Sequence, residues 1–216
     1  MEHHTIPVQK TAHVYTSGSL EGSAEYLIIA CHGYGQLSKY FIRKFDFLPK
    51  DQFLVVAPEG LSRFYTQGFY GDVGASWMTK EDRLVEIDDY AQYLSQMLEH
   101  FQKMIKPDAK VILYGFSQGC ATVMRWIMKK FPAIDTIILY GGLLPEDLDY
   151  RPFTTYFQAI EMKWAYGDTD KFIDQKRIDW HLAFIRDQLM PISTVPYNGG
   201  HEMIREVMKE KLLPKY

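Results

Sequence analysis

Lys110-Val111-Ile112-Leu113-Tyr114-Gly115-Phe116-Ser117-Gln118-Gly119 is the stretch on which the reading of the whole chain turns. Val111 to Tyr114 form a short unbroken apolar run, the pattern of a strand buried on both faces of a parallel sheet. Residues 117–131 then take up a helical pattern. Between the two stands a serine with a glycine two residues to either side. By itself that spacing is common, and its bland reading is a glycine-flanked serine capping a helix. A strand immediately before and a helix immediately after give it another sense. On such a tight turn the hydroxyl stands exposed at the end of the sheet, and the small glycines let strand and helix approach closely.

Outward from this point, short β-branched runs alternate with long amphipathic ones. Residues 10–16 and 24–30 read as strands, joined by the turn-rich Ser17-Gly18-Ser19-Leu20-Glu21-Gly22-Ser23 as an antiparallel hairpin at one sheet edge. A helix is expected over 36–48, a buried strand over 53–57 and a loop rich in glycine and aromatics over 59–80. From 83 to 105 apolar residues recur at three- and four-residue spacing (Leu84, Ile87, Ala91, Leu94, Leu98, Phe101, Ile105), which predicts one long amphipathic helix. Strands follow at 136–140, 161–166 and 192–197, and helices at 172–189 and 202–213. There is no repeat and no linker. The expectation is one α/β domain over residues 1–216, with a mainly parallel central sheet and helices on both faces.

Composition narrows the partners. The 216 residues are 47% hydrophobic and 24% charged, and the formal net charge is -3. That balance gives no basic excess for nucleic acid or an anionic membrane. The N-terminal residues lack the basic and apolar regions of a signal peptide, and no run approaches the roughly 18 apolar residues that stable membrane insertion needs. The expectation is a cytoplasmic protein acting on a small molecule or a modified protein. Cys31 and Cys120 lack metal-ligand spacing and read as packed thiols. No metal and no organic cofactor is expected, and both monomer and homodimer stay open.

A serine hydroxyl is a weak nucleophile unless an imidazole takes its proton and a carboxylate orients that imidazole. Where the nucleophile sits on a strand-to-helix turn, acid and base follow it in the order Ser, Asp or Glu, His. His181 and His201 are the histidines that follow. His181 lies within a helical pattern, whereas His201 comes after the last strand, on Tyr197-Asn198-Gly199-Gly200, and is the expected base. His32 precedes the nucleophile and reads as structural. The acid lies in Gly167-Asp168-Thr169-Asp170, at the end of a strand, where either aspartate is in reach and the other serves the turn. Oxyanion stabilisation needs backbone donors. One is expected from Gln118, after the nucleophile, and one from Tyr34 in His32-Gly33-Tyr34-Gly35. The aromatic loop before residue 80 suggests Trp77 and Phe69 as one wall of a substrate pocket, against the plain alternative that the rings pack beneath a long loop.

These motifs together resemble the phospholipase/carboxylesterase family of α/β-hydrolases, which includes small carboxylesterases and acyl-protein thioesterases. The resemblance covers nearly the whole chain. It rests on His32-Gly33-Tyr34-Gly35, Gly115-Phe116-Ser117-Gln118-Gly119, Gly167-Asp168-Thr169-Asp170 and Gly200-His201-Glu202, and Trp77 looks like a tryptophan that the family carries in its substrate-side loop. It implies the α/β-hydrolase fold, in which 216 residues leave no room for a large lid domain, and a triad of Ser117, Asp170 and His201, with Asp170 rather than Asp168 as the acid. It implies hydrolysis of carboxylic esters or thioesters through an acyl-serine, on substrates that are small molecules, lysophospholipids or acylated proteins. Two departures stand out. The acid motif continues Lys171-Phe172-Ile173-Asp174 where the family usually has Val-Pro, and Tyr34 replaces a common leucine. A catalytically silent scaffold that binds a ligand or partner is the competing reading, since fold does not fix function.

Overall fold

Along the second strand Leu27, Ile29 and Cys31 join one buried cluster while Ile28 and Ala30 join another. Successive strand side chains point to opposite faces, so a strand apolar at every position must be covered on both. The computed structural model describes residues 1–216 and shows both covers. Its elements are β1 (Val14–Ser17), β2 (Tyr26–Cys31), α1 (Ser38–Phe41) with a following 3-10 turn (Ile42–Phe45), β3 (Phe53–Pro58), β4 (Ser62–Gln67), β5 (Tyr70–Ser76) and α2 (Arg83–Gln102). Then come β6 (Lys110–Phe116), α3 (Gln118–Lys130), β7 (Thr136–Tyr140), a 3-10 turn (Arg151–Phe153) leading into α4 (Thr154–Gln158), and β8 (Glu161–Gly167). The chain ends with α5 (Gln175–Asp187), β9 (Ile192–Tyr197) and α6 (Arg205–Val207), which widens into a π-helical turn (Met208–Leu212). One cluster gathers Leu94, Trp126 and Ile178 from α2, α3 and α5. The other gathers Phe41, Phe45 and Leu212 from the opposite face.

Seven strands form the main sheet in the order β1-β3-β2-β6-β7-β8-β9, parallel except for β1. The chain lays β3 on one side of β2 and then crosses, through α2, to lay β6 on the other. That reversal opens a crevice at the carboxyl ends of β2 and β6, the place where ligands of open α/β sheets bind. No large lid is inserted: between β7 and β8 the chain holds only the 3-10 turn and the five-residue α4. No helix is long and apolar enough to cross a membrane.

Several expectations are corrected. β1 does not form a hairpin with β2. It pairs antiparallel with β3, Val14 opposite Pro58 and Ser17 opposite Val55. The linking segment is long enough to pass the end of β3, where the Ser19 N–H bonds the Lys50 carbonyl at 2.9 Å. The swap leaves fully apolar β2 inside the sheet and half-exposed β1 at its edge. The helix expected over 36–48 is a single α turn followed by a 3-10 turn, with no side-chain cap at Leu37. The aromatic loop is a two-stranded hairpin of β4 and β5, whose mostly exposed residues hide the inside-outside alternation that marks a half-buried strand. α5 starts at Gln175, later than expected, because the Asp174 carboxylate caps it by accepting from the Arg177 N–H at 2.8 Å. At the two sheet edges, β1 is four residues long, and β9 pairs only with β8 and carries the exposed Pro196.

Candidate active site

Ser117 links β6 to α3 with φ 53° and ψ -116°, a conformation that L-residues rarely adopt. It persists because its surroundings hold it. The Ser117 N–H bonds the Tyr140 carbonyl of β7 at 2.9 Å, and the elbow is pressed against β2. A Cβ on Gly119 would lie 2.1 Å from the Cys31 carbonyl oxygen, and one on Gly115 would lie 2.5 Å from the Gly119 oxygen. Any side chain at either position would force strand and helix apart.

His201 stands on the turn after β9, as expected. Its Nε2 is 2.9 Å from Ser117 Oγ and its Nδ1 2.7 Å from Asp170 Oδ2. Asp170 comes from the turn after β8, next to β9 in the sheet, so two neighbouring parallel strands deliver the carboxylate and the imidazole to one point. The Asp170 side chain is sealed from solvent, and its other oxygen, Oδ1, accepts the Phe172 N–H at 2.8 Å. Both carboxylate oxygens are therefore occupied by hydrogen-bond partners. The Nδ1–H of His201 points at the acid, leaving Nε2 free to accept the serine proton. Asp168 does not reach the histidine. Its Oδ1 accepts the Gly199 N–H at 2.9 Å, pinning the loop that carries His201 rather than its own turn.

Two backbone donors stand open beside the serine. Within the His32-Gly33-Tyr34-Gly35-Gln36 run, Gly33 N–H bonds Gln36 Oε1, Gly35 N–H bonds the Ala75 carbonyl and Gln36 N–H bonds the Gly33 carbonyl. The Tyr34 N–H makes no hydrogen bond within the protein. The run abuts the serine, since a Cβ on Gly33 would be 3.1 Å from Ser117 Cβ. Gln118, as the first residue of α3, has by position no intrahelical acceptor for its own N–H. Its side chain has a role that the sequence did not suggest: Oε1 accepts the Trp77 N–H at 3.2 Å and Nε2 donates to the Met78 carbonyl at 3.0 Å. The amide thus ties the elbow to the segment after β5.

His32 is a buried structural histidine. Its Nδ1–H donates to the Gly33 carbonyl at 2.7 Å and its Nε2 accepts the Gly60 N–H at 2.9 Å. Burial pushes its pKa below the usual imidazole value. His181 is also buried, with Nε2 accepting the Leu144 N–H at 3.1 Å, and burial lowers its pKa to about 4. Cys31 and Cys120 are buried free thiols whose pKa values burial drives far up, leaving them unreactive.

A cavity of about 570 Å³ opens directly beside Ser117 and His201. Trp77 and Phe69 do not line it. Trp77 is 2% exposed, packs with its ring tilted against His32 at 5.0 Å between centroids and donates its Nε1–H to the His32 carbonyl at 2.9 Å. Phe69 is fully exposed at the tip of the β4-β5 hairpin. The cavity is walled instead by Ala121, by Leu143 and Leu144 after β7, and by Phe172 and Ile173. Phe172, at a position where the sequence departs from the family pattern, lies edge-on to His201 at 4.6 Å.

The sequence profile of the phospholipase/carboxylesterase family matches residues 18–212. No curated protein sequence matches the chain. Among solved structures, Zea mays acyl-protein thioesterase 2 superimposes with a TM-score of 0.70 at 18% identity, over 92% of this chain and 95% of that one. Esterase PE8 gives 0.65 at 18% identity, over 91% and 94%. A Bacillus cereus carboxylesterase gives 0.61 at 12% identity, over 89% and 88%. Similarities at these identities show the α/β-hydrolase fold.

Proposed function

Because the chain belongs to the phospholipase/carboxylesterase family, a group of hydrolases, we propose that it is a serine hydrolase cleaving carboxylic esters or thioesters through an acyl-Ser117 intermediate. The observation that carries this reading is the unbroken hydrogen-bonded line from Ser117 Oγ through His201 to Asp170, at 2.9 and 2.7 Å. As Ser117 Oγ attacks the substrate carbonyl carbon, His201 Nε2 takes the hydroxyl proton, and the Asp170 carboxylate stabilises the imidazolium without being protonated. The carbonyl oxygen gains negative charge and receives the Tyr34 and Gln118 N–H groups. Preorganised donors of this kind are worth about 3–4 kcal/mol each in known hydrolases. His201 then protonates the leaving alcohol or thiol, and the C–O or C–S bond breaks. Water, deprotonated by the same Nε2, attacks the acyl-serine; the bond from the acyl carbon to Oγ breaks, the acid leaves, and His201 returns its proton to Ser117 Oγ. Every step uses groups of this one chain, which we take to act as a single domain on a small ester, a thioester or an acylated protein.

A fluorophosphonate probe tests the proposal. It should label Ser117 stoichiometrically, and Ser117→Ala should abolish both labelling and p-nitrophenyl acetate hydrolysis. A chain that folds but takes no label would be the silent scaffold instead.

A further inference from the structure

Along α3 the cavity follows one helix face. Ser117, Ala121 and Arg125 are four residues apart and all three line it, as side chains at i, i+4 and i+8 share a face. Eight residues at 1.5 Å each put the Arg125 backbone about 12 Å from that of Ser117, and helical side chains lean back toward the N-terminus, here toward the nucleophile. The wall changes character along this line. Near the serine it is apolar, formed by Ala121, Leu143, Phe172 and Ile173. At the far end it is ionic, formed by Arg125, Asp147, Arg177 and Glu146.

The ionic end is built rather than incidental. The Arg125 side chain is only 8% exposed and grips both oxygens of Asp147, Nη2 to Oδ1 at 2.6 Å and Nη1 to Oδ2 at 3.1 Å. Arg83 reaches the same carboxylate from α2, and Arg177 of α5 pairs with Glu146. These contacts hold the Asp147 pKa down at about 2, chiefly through the Arg125 hydrogen bonds, so it stays ionised across the working pH range. Of the three guanidiniums only Arg125 and Arg177 line the cavity, against Asp147 and Glu146, so the wall carries no net charge and an anion must be held by guanidinium N–H groups that these pairs leave unspent. Arg177 spends one nitrogen on Glu146 and lies over the Trp180 ring at 4.8 Å, half-exposed, with further N–H groups available to a ligand. A long alkyl chain in this cavity would end against ion pairs and displace their water without replacing its hydrogen bonds.

We propose that this cavity is an anion subsite, selecting esters or thioesters that carry a carboxylate or a comparable anionic group, joined by a short spacer to the carbonyl that Ser117 attacks. The apolar stretch holds the spacer and the guanidinium end holds the charge. The inference rests on the esterase reading above and adds the substrate class. Because the cavity is open to solvent, the selectivity is set by partly screened contacts, on the order of five- to tenfold.

Two matched substrate pairs cover the two halves of an ester. On the acyl side, p-nitrophenyl hydrogen glutarate is compared with p-nitrophenyl valerate. On the alcohol side, 4-acetoxybutyrate is compared with pentyl acetate, following acetate release. In at least one pair kcat/KM should favour the anionic member, and the preference should shrink with added salt. Arg177→Gln should reduce the preference and Glu146→Gln should raise it, opposite shifts that general damage to the fold cannot produce. Equal rates in both pairs, or shifts in the same direction for the two variants, would overturn the proposal. Calorimetry of monomethyl glutarate against methyl valerate, an anion against its neutral match, with Ser117→Ala needs no turnover. The glutarate ester binding several-fold tighter supports the subsite even if the esterase reading fails, and equal binding refutes the subsite even if that reading stands.

Discussion

Asp170→Asn replaces the buried acid by an amide of the same shape, and the structure dictates which way that amide must face. Oδ1 of Asp170 receives the Phe172 N–H at 2.8 Å, and a backbone N–H can only donate. The amide oxygen must therefore occupy the Oδ1 position, which turns the NH2 group toward His201 Nδ1, now 2.7 Å from Oδ2. Two donors cannot face each other, so the imidazole shifts its proton to Nε2. Nε2 then meets Ser117 Oγ, at 2.9 Å, as a donor and can no longer accept its proton. In serine proteases the same tautomer error costs on the order of 10⁴ in kcat, about 5.4 kcal/mol of barrier. Here the amide is locked by a backbone group, so the full loss is expected, while folding changes by about 1 kcal/mol as one charged hydrogen bond becomes neutral. The assay is kcat on p-nitrophenyl acetate with thermal melting in parallel. Asp168→Ala is the control: it loses an exposed bond to the Gly199 N–H, should lower Tm by about 2–4 °C, and should keep kcat within roughly tenfold of wild type. A folded Asp170→Asn enzyme keeping a tenth of wild-type turnover would refute the tautomer argument.

Three further outcomes are expected. Gly119→Ala places a methyl 2.1 Å from the Cys31 carbonyl and should cost about 1–3 kcal/mol or more in urea unfolding. It should also lower kcat by parting Ser117 from the Tyr34 loop, and an unchanged midpoint would contradict the close approach. Trp77→Phe leaves the buried His32 carbonyl without its 2.9 Å donor, a loss of about 1–3 kcal/mol, with relative rates across acyl chain lengths unaltered; changed chain-length selectivity would return Trp77 to the substrate. His181 is held neutral with a folded pKa near 4, below its unfolded value. The unfolded chain therefore binds the extra proton, and stability complete above about pH 6.5 should fall toward pH 4 by up to roughly 3 kcal/mol, with His32 adding in the same direction. His181→Gln should flatten this slope in urea titrations, and parallel slopes would exclude the histidine as its source.

What could be read in advance was set by how local the physics is. β6, α3 and the elbow between them were legible because Val111 to Gly119 combine burial, turn and helix start within ten residues. His201 and the Gly167–Asp170 turn were legible because strand ends gather at one sheet edge, but separating Asp170 from Asp168 needed a motif resemblance. The structure separates them by what each carboxylate touches. β1 was misplaced because its partner β3 lies some forty residues away and nothing in the local turn residues names it. Trp77 and Phe69 shared an aromatic stretch yet went to the core and to solvent, since burial depends on the hairpin and on His32. The ionic end of the cavity left one faint trace, the four-residue spacing of Ser117, Ala121 and Arg125. Its partners Asp147 and Arg177 come from other elements.

The two sheet edges bear on how the molecule behaves in a crowd. An open strand edge is a template on which another chain can add by backbone pairing, and aggregation grows from such sites. Here one edge offers only the four residues of β1. On the other, Tyr197 turns its carbonyl inward to the Asp168 N–H, so the alternate residue Pro196 faces the open side, where it has no N–H to give. A strand arriving at either edge finds an incomplete ladder, and the sheet that brings Ser117, Asp170 and His201 together is thereby kept from extending into a neighbour.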